Sequence, residues 1–199
     1  MDTILIQPAL ESAPIPVQVS LVDAANPFCF VDATSLPESY HEQGPYAEES
    51  IDFMELVRRE AAVLMGLAKS TEEASRVRGT PKIAVLTQPT KPGAEIQVVA
   101  YSMGKVHGSL QLTGAVCLAT AACTEGTVAH AIRSEASTEK RDSGTPSLKS
   151  ALHRERVAIR HTGGDMDVDV SLVMYNRAEE VTVFRTARRL FEGTVYYLQ

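Results

Sequence analysis

The stretch Thr113-Gly-Ala-Val-Cys-Leu-Ala-Thr-Ala-Ala-Cys123 carries no charged residue, and its only polar side chains besides the cysteines are two threonines. It is long for a strand and rich in alanine, the residue with the highest helix propensity, and it therefore predicts a helix. A helix that is apolar around its whole circumference has to be enclosed by other elements. Because its small side chains allow a sheet to approach closely, we expect a curved sheet wrapped around this central helix.

Segments with the composition of strands lie on both sides of the apolar helix. Those before it are residues 17–22, 28–31, 81–87 and 96–102, and those after it are residues 156–160, 166–174 and 180–184. Several of them alternate apolar and polar residues, which is typical of half-exposed antiparallel strands. The predicted fold class is therefore α+β, with a curved, mostly antiparallel sheet around the apolar helix.

A second helix is predicted between the strands at residues 28–31 and 81–87. Its apolar stripe recurs at spacings of three to four residues, at Met54, Val57, Ala61, Leu64 and Ala68. Ser50 is a candidate N-cap, and Gly66 followed by Leu67 is typical of a left-handed C-cap. The polar segments 34–50, 69–80 and 125–152 are predicted to be loops, the last of them mobile.

Composition excludes several classes of protein. The chain has 199 residues, the size of a single domain, and a net charge of −6 from 25 acidic and 19 basic residues. A dedicated nucleic-acid binder needs a basic surface, so no nucleic-acid partner is expected. The uncharged run 108–124 is too short and too polar to span a bilayer, and the N-terminus has no secretory signature. We therefore expect neither membrane association nor secretion.

The cysteines and histidines give no indication of a metal or a disulfide framework. Cys29, Cys117 and Cys123 are odd in number and lie in apolar surroundings, which favours packed thiols over nucleophiles. Free thiols are typical of a reducing compartment, so a cytoplasmic location is expected. The five histidines form no pair at metal-ligand spacing, and no phosphate-binding loop or nucleotide fingerprint is present.

The start of the apolar helix is the strongest candidate binding site. Thr113, Gly114 and Ala115 would present free backbone N–H groups at the positive end of the helix dipole, an arrangement that suits a carboxylate. The alternative is that Thr113 only caps its own helix and Gly114 only permits tight packing. Ser102 and Asn26 are either ligand-binding groups or ordinary loop and turn residues.

Five segments, taken together and in order, resemble the PrpF family. They are residues 19–31, 79–84, 102–107, 112–117 and 185–196, which begin Val-Ser-Leu-Val-Asp, Gly-Thr-Pro-Lys, Ser-Met-Gly-Lys, Leu-Thr-Gly-Ala and Arg-Thr-Ala-Arg. The family comprises 2-methylaconitate and aconitate isomerases and 4-oxalomesaconate tautomerases, and shares its fold with diaminopimelate epimerase. The resemblance implies two similar domains, each a curved sheet around a helix, with the active site in the cleft between them.

The resemblance also implies a chemistry and a set of residues. The family moves a double bond without a cofactor, by removing a proton next to a carboxylate and returning it at another carbon. Carried over to this chain, the substrate-binding residues would be Asn26, the helix start at Thr113, Gly114 and Ala115, and the segment Ser102-Met103. A small di- or tricarboxylate is the expected ligand, and no cofactor is expected.

Only the second half of such an enzyme is recognisable in the sequence. The Ser-Thr-Ser-Lys and Cys-Gly-Asn segments of the first domain are absent, and Leu112 stands near the position where the epimerases have a cysteine. We therefore expect the isolated chain to lack part of the active site, with a separate first domain or a second copy of the chain as the partner. The alternative is a non-catalytic carboxylate-binding or interaction domain.

Overall fold

The computed structural model describes residues 1–8, 13–138, 152–173, 177–184, 192–194 and 196. The helices of this part are α1 (Glu38–Gln43), α2 (Glu48–Leu64), α3 (Thr71–Arg76), α4 (Leu112–Ala122) and α5 (Val128–Thr138), with a 3₁₀ turn at Ala33–Ser35. The strands are β1 (Asp2–Ile6), β2 (Ile15–Asp23), β3 (Pro27–Asp32), β4 (Lys82–Thr87), β5 (Ile96–Ser102), β6 (Lys105–Val106), β7 (Leu152–His161), β8 (Gly164–Val173) and β9 (Arg177–Val183).

The described strands form one mixed, mostly antiparallel sheet in the order β1-β2-β3-β4-β5-β7-β8-β9, with β6 paired to β5. Only β3–β4 and β5–β7 are parallel within the described part of the chain. The fold is thus a mixed α/β fold with an open sheet and few helices. The six sequence-predicted strands that fall on β2–β5, β7 and β8, and the last one at β9, are confirmed as strands.

Helices cover both faces of the sheet. Side chains alternate along β3, so that Phe28 and Phe30 lie in the core with α4 and α5 while Cys29 and Val31 lie in the core with α2. Both sets are fully buried. The sheet therefore separates two hydrophobic cores, and the face of Phe28 is the one that carries the start of α4.

The prediction of a helix at residues 113–123 is confirmed by α4, which begins one residue earlier. The helix contacts β2 and β3 near one end of the strand order and β8 and β9 at the other. Among the described residues, however, the expected enclosure on all sides is incomplete. Val116 and Thr120 are half-buried and face a cleft of about 620 Å³ between the end of β2 and β9.

Local capping decided where the other helices begin and end. The C-cap prediction at Gly66 is confirmed: its φ is +71°, and Leu67 N–H donates to the carbonyl of Ala62. The predicted N-cap was wrong, because α2 begins at Glu48 after Ala47, and Ser50 is buried inside the helix.

The three predicted loops were wrong in part. The first contains α1 and the 3₁₀ turn, and the second contains α3. Two reciprocal hydrogen bonds cap the start of α3. The Glu73 N–H donates to the N-cap hydroxyl of Ser70, and the Lys69 N–H donates to the Glu73 carboxylate. In the third, α5 occupies residues 128–138, while residues 139–151 lie outside the described residues. Most of the resembling segment 185–196 also lies outside them.

Replacing Thr127 by alanine should lower the free energy of unfolding by about 1 kcal/mol, because Thr127 is the N-cap of α5. Its hydroxyl accepts the N–H of His130 at 3.1 Å. Thr124→Ala is the matched control, since the Thr124 hydroxyl is exposed and donates only to a carbonyl one turn back in α4. Urea unfolding of both variants measures the difference, and equal stabilities would contradict the capping role.

Candidate functional site

The start of α4 presents backbone donors without partners. Gln111 is the N-cap residue and makes no capping bond with its side chain, and the first intrahelical donor is Ala115 N–H, 2.9 Å from the Gln111 carbonyl. The N–H groups of Leu112, Thr113 and Gly114 have no acceptor among the described residues. Thr113 is exposed and lies inside the first turn, so it does not cap the helix as the alternative interpretation required.

Gly114 is needed for close packing, as the alternative interpretation proposed. A Cβ at this position would lie 2.9 Å from Phe28 Cζ and 3.1 Å from Leu110 Cδ1, both closer than ordinary contact. The Gln111 side-chain oxygen lies 3.4 Å from the same point and is buried without a hydrogen-bond partner in the described part of the chain. The packing role and a binding role are compatible, because the Gly114 N–H has no acceptor in the part of the chain that the structure describes.

Asn26 lies beside the first turns of α4. It ends the turn between β2 and β3, and its backbone carbonyl accepts a hydrogen bond from Cys117 Sγ at 3.0 Å. This contact joins the turn to α4 one helical turn after Gly114. The structure therefore brings Asn26 and the Thr113-Gly114-Ala115 segment together.

Ser102 and Met103 lie in the tight turn between β5 and β6. Met103 has a positive φ of 55° and its side chain is 61% exposed. Ser102 instead uses its hydroxyl to accept a hydrogen bond from Lys82 Nζ at 3.1 Å. Of the two residues, Ser102 is the one placed in a polar contact at this edge of the sheet.

The strand register places Ser102, Lys82 and Phe28 side by side on three neighbouring strands, and Phe28 contacts Gly114 of α4. Phe28 pairs with Lys82 across β3 and β4, and the pairing of Ile83 with Tyr101 puts Ser102 next to Lys82. Alternation from Ala84 and Ala100, which lie in the core with α4, places Lys82 and Ser102 on the same face as Phe28, although both residues also border a small pocket beside α2. Phe28, whose ring lies against Gly114, is therefore one strand from Lys82 and two from Ser102.

The sequence analysis missed Lys82, although it lies within one of the resembling segments. Only the register reveals its position beside Ser102. Two more cations lie close by. Lys105 pairs with Ser102 across the β5–β6 turn, and the guanidinium of Arg78 packs so tightly against Gly104 that a Cβ there would overlap it. This edge of the sheet is therefore locally positive.

The thiols and the neighbouring imidazole are committed to other contacts. Burial raises the pKa of Cys29, and it raises the pKa of Cys123 to about 11, so both thiols are protonated near neutral pH. The Cys117 thiol is buried and donates to Asn26. His107 is bonded through Nδ1 to the backbone of Ser109. Cys29 and Cys123 are therefore not ready nucleophiles for a ligand at α4.

Within the described residues, no three His, Cys, Asp or Glu side chains converge as metal ligands. No helix there is long and apolar enough to cross a bilayer.

By fold, the chain falls in the class of mixed α/β domains found in a known isomerase. It matches the crystal structure of a methylitaconate-delta-isomerase with a TM-score of 0.64 and 23% sequence identity, over 96% of this chain and 48% of that one. The sequence profile of the PrpF protein family matches residues 7–198, and the chain belongs to that family.

Curated relatives carry names of the same kind. The chain is 29% identical over 196 residues to the 3-methylitaconate isomerase of Eubacterium barkeri, covering 90% of this chain and 47% of that protein. It is 29% identical over 182 residues to the 4-oxalomesaconate tautomerase of Pseudomonas putida, covering 90% of this chain and 45% of that protein. The chain thus spans about half the length of the curated relatives it matches.

Proposed function

We propose that this chain is the carboxylate-binding half of a cofactor-independent isomerase or tautomerase of small unsaturated di- or tricarboxylic acids, such as methylaconitate or aconitate. The observation that carries the proposal is the start of α4, where three N–H groups have no acceptor among the described residues and Phe28, which lies against Gly114, pairs with Lys82 at the cationic edge of the sheet. Membership of the PrpF family supports the reaction class, and the names of the relatives support the class of substrate.

In this proposal the sheet wraps α4 as in the epimerase-like fold, and the start of the helix faces the substrate. The contacts of α4 with strands from both ends of the sheet order support such a wrap. A carboxylate would accept hydrogen bonds from the N–H groups of Leu112, Thr113 and Gly114, at the positive end of the helix dipole. The same donors would stabilise the enolate-like charge that develops when a proton is removed next to that carboxylate.

The acid–base groups of the reaction are proposed to come from a first domain or from a second copy of the chain. The three side-chain atoms nearest to a Cβ built at Gly114 belong to Phe28, Leu110 and Gln111, and none of these residues titrates. Proton removal and return require groups that do. The chain's own part would be to bind and orient the acid, with Asn26 bordering the site.

Titration of trans-aconitate into the ¹⁵N-labelled chain tests the binding step. We expect the amide resonances of residues 112–114 to shift, because their N–H groups would meet the carboxylate. The start of α5 is an internal control, since the N–H of Val128 is bonded to Ser20 Oγ and that of His130 to Thr127. Equal shifts at both helix starts, or none at 112–114, would rule out a carboxylate site on α4.

Proton NMR of trans-aconitate in D₂O tests the chemistry. We expect no exchange or isomerisation by the chain alone, and turnover once a first domain of the family is added. Turnover by the pure monomer would contradict the proposal that the acid–base groups come from another domain or a second copy of the chain. Binding without turnover, both by the chain alone and after a first domain is added, would favour the alternative of a carboxylate-binding domain without catalysis.

A further inference from the structure

Lys82 is half-buried, and its ammonium makes fewer hydrogen bonds within the described residues than it has donors. Its one partner in the described part of the chain is the Ser102 hydroxyl at 3.1 Å, and no carboxylate there lies within ion-pair distance of its Nζ. An ammonium has three N–H donors, so two of them have no acceptor among the residues that the structure describes. A charge that has lost part of its hydration is costly unless a counter-charge or further hydrogen bonds replace the water.

The surroundings of Lys82 add positive charge and do not neutralise it. Arg78 and Lys105 flank the same turn. The nearby acid Glu55 lines the same small pocket as Lys82, but its two oxygens are bonded by Arg58 and Arg59. The partner that this group of cations lacks is an anion.

The distance from Lys82 to the start of α4 suits a small molecule. Neighbouring strands lie about 4.8 Å apart, and Lys82 pairs directly with Phe28 of the adjacent strand, the residue whose ring lies against Gly114. Lys82 and the ring of Phe28 share one face of the sheet. A ligand held by one carboxylate at the helix start can therefore extend past this ring towards Lys82.

We propose that Lys82 and Ser102 hold the second carboxylate of a ligand whose first carboxylate sits on the N–H groups at the start of α4. The inference rests on the proposed function and adds the residues that select for a second carboxylate. Because the Ser102 oxygen already accepts from Lys82, its own O–H is free to donate. The ligand would thus receive one charge-assisted bond from the ammonium and one from the hydroxyl.

The test compares trans-aconitate with crotonate, an unsaturated monocarboxylate, on the full chain. Lys82→Met should weaken trans-aconitate binding about tenfold, as expected for loss of a hydrogen bond to a charged group, and leave crotonate binding unchanged. Ser102→Ala should weaken trans-aconitate binding severalfold in the same selective way. Dissociation constants come from the amide shifts of residues 112–114.

Lys91→Met is the matched control, because it removes the same charge from an exposed position in the turn between β4 and β5. It should change neither constant. Wild-type affinity for trans-aconitate in Lys82→Met and Ser102→Ala would overturn the second subsite while leaving the α4 site intact. An equal loss for both acids would also overturn it, since that result indicates a general electrostatic effect. No shift of residues 112–114 in the wild type would instead sink the proposed function itself.

Discussion

Replacing Arg58 by methionine is expected to lower the free energy of unfolding by about 3–5 kcal/mol, the cost of removing one partner of a buried ion pair. Arg58 is 3% exposed, and its guanidinium forms a two-point bond with Glu55 at 2.7 and 2.8 Å. The same group donates to the carbonyls of Ala74, Val77 and Thr80. Methionine keeps the apolar stem but leaves the buried Glu55 carboxylate with Arg59 as its remaining partner, and it leaves three backbone acceptors without their donor.

Arg59→Met is the matched control on the same helix. Arg59 also bonds Glu55, at 2.8 Å, but its side chain is 32% exposed. Exposed ion pairs contribute about 0–1 kcal/mol, so this variant should lose no more than that. Chemical unfolding of the two variants separates the effects, and equal losses would contradict the buried role assigned to Arg58.

The loss caused by Arg58→Met should also depend on pH in a defined direction. Burial by itself raises the pKa of Glu55, but hydrogen bonds from Arg58 and Arg59 hold it below its ordinary value of 4.5. A depressed folded-state pKa means that the contribution is present above pH 4.5 and is lost as the pH falls through the folded value. The stability gap between wild type and variant should therefore narrow below pH 4.5. A gap that stays constant down to pH 3 would contradict the linkage.

Arg58 also connects the core to the candidate site. Arg58 binds the carbonyls of Val77 and Thr80 on either side of Arg78, and Thr80 lies two residues before Lys82. The guanidinium thus fixes the backbone next to Arg78 and Lys82, two of the three cations at this edge. A variant at this position is expected to disturb the Lys82–Ser102 contact as well as the core.

The sequence was most informative where one property extended over a whole element. The uncharged run at 113–123 predicted α4 because no polar face was present to suggest an exposed helix or a half-exposed strand. By contrast, α5 was missed because its pattern is mixed and its start depends on two hydroxyls, Ser20 from a distant strand and Thr127. A contact across 108 residues leaves no local signal.

The candidate site was predictable only in part for a related reason. Asn26 and the Thr113-Gly114 pair stand out locally, as a turn and a helix start. Lys82 does not, because a lysine at the beginning of a strand is ordinary until the register places it beside Ser102 and one strand from Phe28. Pairing between strands, and not any motif, creates this part of the site.

Replacing Phe28 by alanine is expected to cost about 3–5 kcal/mol, because the side chain is fully buried and its removal leaves a cavity. The ring stacks on Phe30 with centroids 5.2 Å apart, and its far end lies against Gly114. Phe184→Ala is the matched control: Phe184 is 47% exposed, and its ring contact with Arg156 contributes about 0.5–1 kcal/mol. Urea unfolding should give a larger loss of unfolding free energy for Phe28→Ala than for Phe184→Ala, and equal losses would contradict the buried role of Phe28.

The residue at position 28 should determine whether Gly114→Ala lowers or raises the free energy of unfolding. In the wild type the added methyl would meet Phe28 Cζ at 2.9 Å, and overpacking of this kind costs about 1–3 kcal/mol. In the Phe28→Ala background that contact is gone and the milder one with Leu110 Cδ1 at 3.1 Å can relax into the vacated space, while alanine still gains about 1 kcal/mol over glycine in helix propensity. Gly114→Ala should therefore change from destabilising to neutral or stabilising. Additive losses in the double variant would mean that the ring does not set the space at the start of α4.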